Sequence, residues 1–82
     1  MAVEAKFIRN WANSLYNPAS KWGSSWLGDK VRQFFIGQVK DYLHGFTHLN
    51  IVSNNVEFIK HAKTMLAAAG VDLKRITFLL VP

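Results

Sequence analysis

The chain has 82 residues, no cysteine, 50% hydrophobic and 13% aromatic residues, and a formal net charge of +5. Its length fits one small domain, whose own core covers only roughly 60–65% of the surface of the unfolded chain. The missing cysteines exclude disulfide staples, thiolate metal centres, Fe–S ligation and thiol nucleophiles.

The first segment, Val3 to Tyr16, spaces Phe7, Ile8, Trp11 and Leu15 three or four apart. That period predicts an amphipathic helix, with Lys6, Arg9, Asn10, Asn13 and Ser14 on its polar side. Asn17-Pro18 ends it, because the residue before a proline is pushed out of the helical region. Residues 17–25, with Pro18, Ser20, Gly23, Ser24 and Ser25, read as a loop. Trp22 and Trp26 in and beside this loop need something to cover them.

A second helix is expected to start near Ser25 or Asp29 and to run to about His44. Leu27, Val31, Phe34, Phe35, Gln38, Val39 and Tyr42 fall on one side of it. Gly37 costs about 1 kcal/mol in helix propensity relative to alanine, and on that face it admits a close neighbour. Phe46 to Val52 reads as a short strand. Asn54 with Glu57 three residues on resembles a capping box, which opens a third helix ending at Ala69-Gly70. Its apolar stripe is Phe58, Ile59, Ala62, Met65, Leu66 and Ala69. The apolar run Ile76 to Val81 predicts a buried strand.

The expected fold is therefore mainly α with a small β contribution, in the order α-α-β-α-β. Residues 1–82 form one domain: a helical, aromatic and basic half over 1–45, and a βαβ half over 46–82. Two parallel strands alone leave unpaired edges and a half-covered sheet, so a partner is expected to complete the fold.

Chemistry is sparsely represented. His44 and His48 have the four-residue spacing of a helical metal pair, but Gly45 intervenes and Asp41 is the only close carboxylate. Zinc needs three or four protein ligands, so the expectation is no metal and no cofactor. Glu4, Asp29, Asp41, Glu57 and Asp72 form no paired motif, no serine lies in a G-x-S-x-G setting, and no glycine-rich phosphate loop is present. The expectation is not an enzyme, with no catalytic residue and no small-molecule substrate.

The aromatic and basic side chains of the first half carry the functional reading. Only 18% of the residues are charged, against about 25% in typical soluble domains, and large exposed apolar patches mark interfaces. Phe7, Trp11, Leu15, Tyr16, Trp22, Trp26, Phe34 and Phe35 are the expected partner-docking residues. Lys6, Arg9, Lys21 and Lys30, interleaved with them, are the expected contacts to an anionic surface. No stretch reaches the ~18–20 apolar residues of a membrane-spanning helix.

These features predict a non-catalytic accessory or assembly subunit, docked through amphipathic, aromatic-rich helices on a larger, membrane-associated complex. In size and composition alone the chain is similar to small accessory subunits of mitochondrial inner-membrane complexes. That implies an intracellular, peripheral place at that membrane. Two alternatives compete. One is a basic nucleic-acid-binding module using Lys60, Lys63, Lys74 and Arg75, though binders usually concentrate their charge more strongly. The other is a peptide that acts alone on a membrane surface.

Overall fold

The computed structural model describes residues 2–82. It corrects the expected order. The elements are strand β1 (Ala2–Lys6), helix α1 (Trp26–Gly45), strand β2 (Leu49–Ser53), helix α2 (Val56–Ala68) and strand β3 (Ile76–Leu80), with single 3-10 turns at Trp11–Asn13 and Leu73–Arg75. The strands form one parallel sheet in the order β1-β2-β3. The fold is an alternating α/β one, not a mainly helical one.

The first helix predicted from Val3 to Tyr16 does not exist. Its residues divide into β1 and a wound loop. The strand alternates Ala2, Glu4 and Lys6, turned toward the helices, with Val3 and Ala5, turned away, the period of a pleated strand, and the two inward charges pair with each other. That pattern overlaps the helical period and wins because β2 offers a parallel partner, with Ala2 opposite Leu49 and Lys6 opposite Ser53.

Both helices cover the same face of the sheet. Leu49 and Ile51 of β2, Ile76 of β3, Phe35 and Val39 of α1, and Phe58, Ala62 and Leu66 of α2 make one buried cluster. Phe35 and Phe58 meet edge to face at 5.7 Å between ring centres, and Tyr16 leans on both at 6.0 and 5.1 Å. Each fully buried Phe or Leu contributes on the order of 1.5–3 kcal/mol of transfer free energy. The result is a two-layer slab of 36 × 28 × 15 Å.

The caps explain the helix boundaries. The Ser25 side chain accepts from the Gly28 backbone N–H at the start of α1. The cap of α2 is Asn55, which accepts from Phe58 N–H at 2.9 Å, and not Asn54. Gly70, at φ 83°, closes α2. Its N–H bonds the Ala67 carbonyl while Val71 N–H bonds that of Leu66, the paired arrangement of a left-handed helix stop. At the end of α1, the Arg75 guanidinium donates to the carbonyls of Leu43, Phe46 and Thr47, where a cation also suits the helix dipole.

Residues 7–25 form a compact loop held from inside. The Asn17 side chain donates to the Trp11 carbonyl, and the Ser20 hydroxyl donates to that of Ser14 at 2.6 Å. Arg32 of α1 donates to the carbonyls of Leu15 and Gly23. Gly23 and Gly28 permit this winding. A Cβ on Gly23 would stand 1.8 Å from the Asn17 oxygen, and one on Gly28 2.3 Å from that of Gly23. Asn54 fastens the loop to the second crossover: its side chain accepts from Ile8 N–H at 2.7 Å and donates to the Ile8 carbonyl.

Candidate functional site

Three surfaces concentrate what the molecule offers. The first is the face of the sheet turned away from the helices. Register places Val3, Asn50 and Thr77 in one row and Ala5, Val52 and Leu79 in the next. None of these residues is charged. Val3 is 52% and Leu79 41% exposed. His48 beside them bonds Thr77 Oγ1 at 2.7 Å through Nε2. The helices cover the other face of the sheet; on this one Val3, Ala5, Thr77 and Leu79 are exposed and Asn50 and Val52 half-buried, whereas parallel sheets usually have both faces covered.

The second surface is aromatic and basic. Trp22 and Trp26 are exposed, with Leu27 beside them in the chain. The Lys21 ammonium sits 5.6 Å from the Trp22 ring and that of Lys30 5.8 Å from the Trp26 ring, within cation–π range. Both pairs belong to the entry into α1.

The third is a groove along the free edge of β1, floored by Lys6 and Tyr16 and walled by α1, of about 930 Å³. Beside the groove Glu4, a buried acid, accepts from the Lys6 ammonium at 2.6 Å. Burial alone pulls the Lys6 ammonium down; the Glu4 hydrogen bond and the neighbouring Tyr16 and Glu4 charges outweigh it and leave it raised. Burial raises the Tyr16 hydroxyl, and the Glu4 carboxylate raises that of Tyr42. The set holds its protons, which suits a structural ion pair. Gln38 Oε1 is buried in α1 with no hydrogen-bond partner among the described residues.

The expected docking residues do not share one face. Phe35 lies in the core and is closed to any partner. Tyr16 packs on Phe35 and Phe58, and Trp11 tilts onto His61 at 5.0 Å. Leu15 is half-buried in the loop. Phe7, Trp22, Trp26 and Phe34 remain exposed. Of the expected anionic-surface contacts, Lys6 is engaged by Glu4, whereas Arg9, Lys21 and Lys30 are exposed. The basic set Lys60, Lys63, Lys74 and Arg75 is dispersed in its tasks. Lys60 pairs with Glu57, Lys63 stands over Phe78, and Arg75 caps α1.

Among the described residues no three His, Asp or Glu side chains converge on a point that could hold a metal ion. No helix of the described residues is long and apolar enough to cross a membrane. Sequence reasoning missed Val3, Ala5, Val52 and Leu79 as surface-forming residues and Glu4 as the buried partner of Lys6. The period-two alternation of the first strand was the signal. Comparison with known proteins adds no relative: no family model, no curated protein and no solved structure matches this chain.

Proposed function

We propose that this chain is a non-catalytic interaction protein, an α/β half-sandwich that docks on a larger protein through the open face of its sheet. The observation that carries the reading is the uncharged row pair Val3-Asn50-Thr77 and Ala5-Val52-Leu79 on a parallel sheet. A layer of apolar side chains from a partner, packed about 10 Å from the sheet, is the usual complement of such a face. The small size of the domain favours the same conclusion, since a core this limited gains from an external layer.

The test is native size in a mild-detergent extract, with Leu79→Lys as the contrast. The expected result is migration far above the 9.3 kDa chain, and release of the variant with an unchanged far-ultraviolet spectrum. A freely migrating wild type, or a retained Leu79→Lys, removes the reading.

A second reading is favoured by Trp22 and Trp26 with their lysines. An amphipathic ring beside a cation suits an anionic membrane surface. Purified protein would then bind phosphatidylserine vesicles with a blue shift of tryptophan emission, and Trp26→Ala would reduce binding. Equal indifference of both proteins to such vesicles removes it.

A further inference from the structure

We propose that the free edge of β1 and the adjoining flank of α1 pair with a second copy of this chain about a two-fold axis. The surface is distinct from the open sheet face, so the two proposals stand or fall separately.

The strand supports this first. Continuing the sheet across the β1 edge by a two-fold axis makes an antiparallel pair. Helix-facing residues must then meet helix-facing residues, so the axis passes through a residue of β1 and not between two. A centre at Glu4 sets two carboxylates opposite each other, and a centre at Lys6 sets two ammonium groups opposite. A centre at Ala5 sets Glu4 of each copy opposite Lys6 of the other, and Val3 opposite Phe7. Only this last register turns the existing Glu4–Lys6 pair at 2.6 Å into a closed ring of alternating charge. Opposite charges across a strand pair are favourable and like charges are not.

The helix supports it independently. Lys30, Phe34, Gly37 and Asp41 all line the groove at the β1 edge. Their 4-3-4 spacing is that of a helix-pairing seam. The stripe reads as its own complement when reversed. Two antiparallel copies centred between Phe35 and Ile36 set Lys30 against Asp41 and Phe34 against Gly37, twice each. Phe34 is 69% exposed, and a Cβ on Gly37 would meet nothing within 4 Å. A bulky ring without cover and an empty place thus oppose each other. A two-fold interface must be complementary to itself, and this stripe satisfies that in charge and in shape.

The test is mass by light scattering or sedimentation from about 1 μM to about 1 mM, with spectra to confirm folding. The wild type is expected to dimerise. Asp41→Lys sets like charges in contact at two symmetric places and is expected to weaken association about 100-fold. Gly37→Leu is expected to do the same by filling the place of Phe34. The double variant K30D/D41K restores the pairing in reverse and is expected to dimerise again. Leu79→Lys on the open face is expected to leave the dimer intact. A wild type that stays monomeric throughout overturns the proposal, as does a dimer indifferent to Asp41→Lys and Gly37→Leu. Loss in both single variants without recovery in the double overturns the Lys30–Asp41 register.

Discussion

The two crossovers of this sheet are built from different kinds of information. Between β2 and α2 the chain turns within residues 54–55, and Asn55 both ends the turn and caps the helix. Between β1 and α1 it winds through residues 7–25, where Asn17 and Ser20 bond within the loop, Arg32 reaches in from α1 and Asn54 from the second crossover. The second crossover obeys neighbour-to-neighbour rules. The first depends on partners brought from elsewhere, so it is the region in which local reasoning fails.

The largest test of that contrast is Phe58→Ala. Phe58 is fully buried and touches Tyr16 of the loop and Phe35 of α1. Its removal should cost about 3–5 kcal/mol, visible as a drop in denaturation midpoint. If the two crossovers were energetically separate, the loss would be confined to α2, and the Tyr16 environment would stay unchanged by NMR.

Two glycines sharpen the contrast further. Gly23→Ala forces a Cβ against the Asn17 carbonyl and should destabilise by about 1–3 kcal/mol. Gly37→Ala meets nothing within 4 Å and should stabilise the monomer by up to about 1 kcal/mol. Thermal midpoints moving in the same direction would contradict the described loop.

Asn54→Ala removes both bonds to Ile8 and should cost about 1–2 kcal/mol. Hydrogen exchange should quicken over residues 7–25 while the amides of α2 keep their protection. Uniform quickening would mean that Asn54 serves the whole domain and not the loop.

The smallest effect concerns alkaline pH. Lys6 and Tyr16 both have values raised above their ordinary 10.5 and 10.0. A raised value means that the folded state holds the proton more tightly than the unfolded one. Their contribution is therefore complete below about pH 10 and fades as pH climbs through the folded values. Both groups are partly exposed, so the slope is shallow. Tyr16→Phe should flatten it in a titration of stability between neutral and strongly alkaline pH. An unchanged slope would show that burial does not raise the Tyr16 hydroxyl.

How much was legible follows the same division. Phe58, Ile59, Ala62 and Leu66 share one helical stripe, and all four are buried in α2. Gly70 marks its end, and Ile76 opens β3. Ser25 or Asp29 is the start of α1 that the sequence offers, and Ser25 is the cap. The segment Val3 to Tyr16 misled because Phe7, Ile8, Trp11 and Leu15 happen to keep a helical spacing across the bend, the 3-10 turn and the loop that follow the strand. Nothing local separates the two readings; β2 does. The candidate surfaces were legible in part. Trp22, Trp26 and Phe34 are exposed as a docking reading requires. Phe35 follows Phe34 by one residue, which turns it about 100° around the helix and into the core. The open sheet face could not be seen without knowing that β1 exists.

The tie between Ile8 and Asn54 spans 46 positions of the chain, and it has a consequence in time. β1 leaves the ribosome well before β2, and its native neighbour is missing until Leu49–Ser53 has been made. Closing so long a loop must precede any reward from the contacts it brings. The second crossover can assemble early from near neighbours, and β1 with its wound loop joins late. Until then Ile8, Trp11 and Tyr16 lack the cover the folded domain gives them, and pairing of the first strand with the middle one is the expected late step.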